Sequence, residues 1–295
     1  MNAVRHSLYI LVCLLSLNLT ANAQYKKSEN TLLWEISGKD LKKPSYLFGT
    51  YHFADKGFID TMKVLNEKLR AAETVVGELV MDKNVAMKLM PFMIMKDNTL
   101  DKLLSAEEYQ LVADYLKQFP GYDLNLFNKM KPVVVQTIIL QLTAPKTFTD
   151  TNPAIDEYIQ SYGKSNNKKV LGLETAEDQA AVLFGSSLAR QKELLLKFVK
   201  EKDKNLEESK RLYTFYITQN LKELGKLFND STYYTAGEMD QMLKNRNEKW
   251  IAQLPTLMKD QSLFIAVGAG HLIGKDGLIK GLQKLGYRVK PLATN

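Results

Sequence analysis

Four short apolar runs in this chain each end in a glycine that is followed, within three residues, by a histidine or a glutamate. Ser45-Tyr46-Leu47-Phe48 leads into Gly49-Thr50-Tyr51-His52, and Leu263 to Val267 leads into Gly268-Ala269-Gly270-His271. Thr74-Val75-Val76 leads into Gly77-Glu78, and Val170-Leu171 into Gly172-Leu173-Glu174. Short apolar runs bounded by turn residues predict buried strands, as in parallel sheets covered by helices. In open α/β sheets, ligands sit beyond the carboxyl ends of such strands. Glycine at those ends lets the backbone turn sharply or approach a ligand closely.

The remaining pattern fills in the architecture. Thr31 to Ser37 and Tyr287 to Pro291 read as further strands, and Lys168 to Leu173 as a buried one. Met62, Leu65, Leu69 and Ala72 mark one face of a helix over Asp60 to Glu73, and Ser105-x-x-Glu108 is a capping box opening another. Pro132 to Leu142 reads as a buried helix and Ile155 to Tyr162 as a short one. Ala176 to Asp230 reads as two long helices broken near Asp203-Lys204-Asn205, Gly237 to Lys259 as one helix and Gly277 to Leu285 as another. The expected fold class is α/β (α+β): a central mixed sheet built from both ends of the chain, with a helical middle. The helices fall between Met81 and Asn167 and between Gln179 and Asp260. His52, Glu78, Glu174 and His271 are expected on one edge of that sheet.

Arg5 and His6 precede an apolar run from Leu8 to Leu17, and Ala21-Asn22-Ala23 follows, the layout of a secretory signal peptide over residues 1–23. The expectation is one domain over residues 24–295, exported to the periplasm or the outside. The Leu8–Leu17 run is too short to span a bilayer, and no later stretch offers about 18 consecutive apolar residues. Val12 precedes Cys13 where a lipoprotein signal has a small residue, which argues against a lipid anchor. Cys13 is the single cysteine, so the exported chain has neither disulfides nor thiolate chemistry. The net charge of +7 is spread along the length and interleaved with acids, and no basic stripe alternates with aromatics. That pattern excludes the nucleic-acid class. The Met81, Met87, Met90, Met93 and Met95 series reads as adaptable packing.

Of the three histidines, only His52 and His271 lie beyond the leader, and each has a glycine three positions earlier. Two neutral imidazoles and a carboxylate at one sheet edge have the ligand types of a divalent-metal site with open positions. The simpler alternative is that each His ends a strand and bonds a nearby carbonyl. No orienting carboxylate is legible for either imidazole. A strand-end site on a large core predicts that replacing either His by Ala leaves folding normal.

LFGTYH, VVGELV, KKVLGLET and the closing AVGAGHLIGKDGLIKGLQKLGYRVKPL together resemble the TraB/GumN family, over Leu32 to Leu292. That family is related to the Tiki metalloproteases and, more distantly, to erythromycin-esterase and ChaN-like proteins. The resemblance implies a shared α/β core with a site formed by His52, His271 and Glu78. It implies a divalent ion, manganese or cobalt before zinc, and a peptide or protein substrate. Glu78 would be the third ligand or the general base to a bound water. Glu174 would be the second carboxylate, or else a charge at a helix N-terminus. Arg246-Asn247, in MLKNRNEKW, also fits the family pattern; the pair would face an oxyanion, or else lie on a polar helix face. The leading expectation is an exported metal-dependent peptidase; the alternative is a protein that sequesters a peptide or haem without turnover. The oligomeric state is not legible.

Overall fold

Leu33–Ser37 (β1) and Ser45–Thr50 (β2) pair antiparallel, Leu33 opposite Phe48. The chain reverses at Gly38 and Lys39, whose φ of 83° and 50° lie in the left-handed region. The computed structural model describes residues 30–295 except 83, 146–148, 150 and 230–232, so the expected leader over 1–23 lies outside the described residues. After the hairpin come Lys56–Asp60 (α1), Lys63–Ala71 (α2) and Thr74–Gly77 (β3). The helical middle follows as Val85–Met93 (α3), Leu100–Leu103 (α4), Ala106–Leu116 (α5), Pro132–Thr143 (α6) and Ile155–Ser165 (α7). Lys169–Gly172 (β4) precedes Ala176–Phe184 (α8), Leu188–Lys200 (α9), Lys202–Ile217 (α10) and Leu221–Asn229 (α11). Ala236–Met239 (α12) passes through a π turn at Asp240–Lys244 into Asn245–Met258 (α13). Leu263–Gly268 (β5), Leu278–Lys284 (α14) and Arg288–Leu292 (β6) complete the chain.

The strands form one six-stranded mixed sheet in the order β4-β3-β5-β2-β1-β6. β4, β3, β5 and β2 are parallel, and β1 lies antiparallel to both β2 and β6. All of β2 and β3 is buried, as strands covered on both faces must be. The main core joins the sheet residues to Leu65 and Leu69 of α2, Ile159 of α7, Trp250 and Leu254 of α13, and Leu282 of α14. Gly163 brings α7 close: a Cβ there would stand 2.9 Å from Val75 Cγ2 and 3.1 Å from Val170 Cγ2. The helical middle has a core of its own, with Leu100, Val112, Leu116, Val135, Ile139 and Leu195 fully or nearly fully buried.

Three expectations are corrected. β4 is an edge strand, half-exposed rather than buried, because it pairs with β3 alone. The Asp60–Glu73 helix is shorter, Lys63–Ala71, because Asp60 ends the separate α1 that Asp55 caps, and the Asn66 amide bonds the carbonyls of Ile59 and Met62 at the junction. Between Ala176 and Asp230 there are four helices instead of two. The chain breaks at Glu201 rather than at Asp203–Asn205, because the Asn205 amide donates to Phe198 O and keeps that segment helical.

The α9 and α12 helices are joined by a fork. Arg190 Nε and Nη2 donate to Glu238 Oε1 and Oε2 at 2.9 and 3.0 Å, while Glu238 also completes a capping box with Thr235. Arg190, with the Thr235 contacts, holds the Glu238 carboxyl at about 2, below the 4.5 it has when free. A depressed acid contributes stability above its unfolded value and loses it as pH falls through the folded one. With both side chains about a quarter exposed, Glu238→Gln is expected to cost ~1 kcal/mol at pH 7. In urea unfolding, that deficit persists above pH 4.5 and closes as pH drops toward 2.

Candidate active site

The parallel register decides where side chains converge. Thr50 stands opposite Gly268, Gly77 opposite Gly172, and Val76 opposite Ile265, so four strands leave the sheet at one level. His52, Glu78, Glu174 and His271 follow those four ends directly, as their shared pattern predicts. At Gly77 a Cβ would come within 2.6 Å of Gln160 Nε2, which donates to Leu79 O and helps hold the loop carrying Glu78.

Arg246, near the start of α13, lies at the centre. Its Nε donates to Glu174 Oε2 at 3.0 Å, and Nη2 to Glu174 Oε1 at 2.6 Å and Glu78 Oε2 at 2.5 Å. Nη1 donates to Met242 O and to His271 Nε2, both at 3.1 Å. A guanidinium has five N–H donors, and all five are engaged, so Arg246 is neither a surface residue nor supplied with a spare donor. The Met242 carbonyl comes from the π turn, a feature frequent at functional sites. Glu78 Oε1 accepts from Gly268 N at 2.8 Å, and Gln179 Nε2 reaches Glu174 Oε1 at 3.1 Å and Glu78 Oε2 at 3.4 Å. Burial pushes the Glu78 carboxyl up, but the positive field of its neighbours, Arg246 among them, and the Gly268 N–H outweigh this and hold it at about 2.

Each imidazole has its Nδ1 held by a second residue, and His271 Nε2 also accepts from Arg246. Asn247 gives its amide hydrogens to His271 O at 3.3 Å and Asp276 O at 2.9 Å, which turns Oδ1 to accept from His271 Nδ1 at 2.7 Å. Nε2 of His271 is therefore the lone-pair nitrogen, directed at Arg246 and 3.7 Å from Glu78 Oε1. Burial lowers the His271 pKa to about 4, and the Trp250 ring lies 4.4 Å from the imidazole and 4.8 Å from Arg246 Cζ. His52 Nδ1 donates to Asp156 Oδ2 at 2.9 Å, while Asp156 Oδ1 accepts from Thr50 Oγ1 at 2.6 Å. The Asp156 charge raises His52 to about 9. The expectation that neither ring has an orienting carboxylate is corrected for His52, which Asp156 orients; His271 has none at Nδ1 and is held there by the Asn247 amide. Both Asn247 donors are taken, so the oxyanion contact expected of it is not set up in this arrangement.

These residues fit a divalent cation by their chemistry. Both rings have Nδ1 engaged by a second residue, the arrangement that turns Nε2 toward a metal, once Arg246 withdraws its N–H from His271 and His52 gives up the proton that Asp156 favours. One guanidinium faces two buried carboxylates, so negative charge remains uncompensated. As arranged, the cation lodged there is Arg246, and among the described residues no three His, Cys, Asp or Glu side chains enclose a common point. A hollow of 100 Å3 beside this cluster is lined by His52, Glu78, Asp156, Gln160 and Gln179.

Asp156, Gln179 and Trp250 were not singled out by the sequence. Signals exist for two of them: Asp156 is an acid in the first turn of α7, and Trp250 stands four residues after Arg246, on the same helix face. Gln179 has no such signal.

The TraB/PrgY/gumN family model matches residues 32–291. The chain is similar to Metalloprotease TIKI2 of Danio rerio, 22% identical with 90% of this chain and 61% of the relative covered. It is also similar to the Metalloprotease TIKI homolog of Amphimedon queenslandica, 23% identical with 90% and 62% covered, and to Metalloprotease TIKI1 of Danio rerio, 22% identical with 88% and 63% covered. The chain therefore spans about three fifths of the length of these relatives. No solved structure matches it. Among the described residues no helix is long and apolar enough to cross a membrane.

Proposed function

The chain belongs to the TraB/PrgY/gumN family, and from that premise we propose that it is an exported divalent-metal-dependent hydrolase acting on peptide bonds. The observation that carries the reading is the strand-end cluster, in which two oriented imidazoles and two carboxylates surround Arg246. His52, His271 and Glu78 are the residues that hold the ion, manganese or cobalt before zinc. When bound, the ion supplies a Lewis acid and a water of lowered pKa. Asp156 and Asn247 keep the two Nε2 atoms in place. Glu174 would be the base toward such a water if Glu78 is a ligand. Arg246, released from His271 Nε2, turns an N–H donor toward the carbonyl oxygen as negative charge builds on it. Asn247 is a positioning residue rather than an oxyanion donor, since its amide hydrogens are held by backbone carbonyls.

Calorimetric titration with Mn²⁺, Co²⁺ and Zn²⁺, run beside peptide-library cleavage with and without chelator, tests this. One bound ion and chelator-sensitive cleavage are expected. Glu78→Gln separates its roles: a ligand loses ion and turnover together, a base keeps the ion and loses turnover. Ion binding without cleavage of any peptide leaves the sequestering alternative, and cleavage unaffected by chelator overturns the metal assignment. For export, N-terminal sequencing of secreted protein is expected to begin at Gln24; an intact Met1 overturns that part.

A further inference from the structure

Two hollows meet at His52. Besides the polar one, a larger cavity of 570 Å3 opens beside His52 and Phe53. Its wall is mainly apolar: Val133, Thr137 and Leu140 recur at helical spacing along α6, and Val182, Phe184 and Leu194 come from α8 and α9, while Gln141, Ser186, Tyr234 and Gln241 supply an uncharged polar part. The Thr137 hydroxyl is turned back to Val133 O at 2.8 Å. The two charged groups of the described lining already have partners, Glu238 in the fork with Arg190 and His52 with Asp156. A charged guest would lose hydration and find no unpaired counter-charge, whereas an apolar guest would bury surface at no such cost. The volume lies within the usual range of ligand sites, about 300–1,000 Å3.

We propose that this cavity receives a bulky apolar side chain of the peptide whose backbone lies at His52, so that the enzyme selects phenylalanine-like, leucine-like or methionine-like residues beside the cleaved bond. The proposal rests on the hydrolase reading above, and it names the substrate class. His52 belongs to both hollows, which places a side chain in the large one next to a backbone in the small one. Leu183, 42% exposed, lines the cavity together with Gln241.

Two blocked hexapeptides test this, acetyl-Gly-Ser-Phe-Phe-Ser-Gly-amide and the same peptide with Ser-Ser at its centre. Binding is read by calorimetry and cleavage by mass spectrometry, with the full-length protein. The Phe-Phe peptide is expected to bind about tenfold tighter or more. Thr137→Trp, which fills the cavity, and Leu183→Asp, which charges its wall, are each expected to abolish the preference for Phe-Phe over Ser-Ser. Having two variants guards against one that fails to fold, which circular dichroism would reveal. Equal binding of the two peptides by wild type, or a preference that survives both variants, overturns the proposal. Preferential binding with no cleavage supports the subsite and overturns the hydrolase reading; cleavage of both peptides at equal rates and affinities does the reverse.

Discussion

Arg246→Met is expected to lower the stability of the metal-free protein by roughly 3–5 kcal/mol, the usual cost of removing one partner from a buried ion pair. Methionine keeps much of the volume beside Trp250 but removes all five donors. Glu78 and Glu174 are then left buried at one strand edge, with Gln179 as their shared neutral donor. With Arg246 gone, burial is left to push the Glu78 carboxyl up, so it takes up a proton more readily folded than unfolded. Stability of the variant should therefore fall as pH rises, opposite in sign to the depressed Glu238. Denaturant unfolding at pH 5 and pH 8 reads both effects, with the larger deficit expected at pH 8. Saturating Mn²⁺ is expected to return part of the loss, because a divalent ion compensates the same carboxylates. Arg246→Lys keeps the charge without the fork and should fall between the two. Wild-type stability for Arg246→Met at pH 8 would show that the guanidinium does not compensate the carboxylates.

The two histidines are expected to diverge. Both His52→Ala and His271→Ala should weaken ion binding by more than about a hundredfold, since losing a ligand exceeds the effect of losing its orienting partner, and both should lose turnover. Their stabilities should differ, because their surroundings do, even though both variants are expected to fold. The His52 side chain is 70% exposed, and Asp156 keeps its bond from Thr50, so His52→Ala should stay within about 0.5 kcal/mol of wild type. His271 is 4% exposed and packs on Trp250. Its removal strands Asn247 Oδ1 and an Arg246 N–H, at a cost of ~1–3 kcal/mol. Thermal unfolding beside Mn²⁺ calorimetry on both variants checks this. Equal stability of the two would show that the buried contacts of His271 contribute nothing.

The strand-end part of the site was legible because its signals are local. An apolar run, a glycine and a polar residue lie within a few positions, and parallel pairing then aligns four such ends. Arg246 and Asn247 were reached only through a resemblance, because the sequence gives no sign of partners 168 positions away, as Glu78 is from Arg246. Asp156 was missed for the same reason, lying 104 positions from His52. The helix breaks escaped for another: Asn205 and Asn66 stop or extend helices through bonds to specific carbonyls, which a periodicity of apolar residues does not record. β4 read as buried from its composition, and only its place at the sheet edge makes it half-exposed.

The strand order also sets a sequence of events in time. β2 and β3 do not touch; β5 lies between them, and it is made some two hundred residues after β2. A chain synthesised only as far as α13 holds His52 and Glu78 on strands that have nothing to join them, and β1 lacks its outer neighbour until β6 arrives. Pairing across such separations is slow, because the intervening loop must close before any contact rewards it. The strand-end cluster therefore comes into being only when the last thirty or so residues have been delivered. A growing or truncated chain that lacks β5 has His52 and Glu78 without His271 and without the strand that joins them.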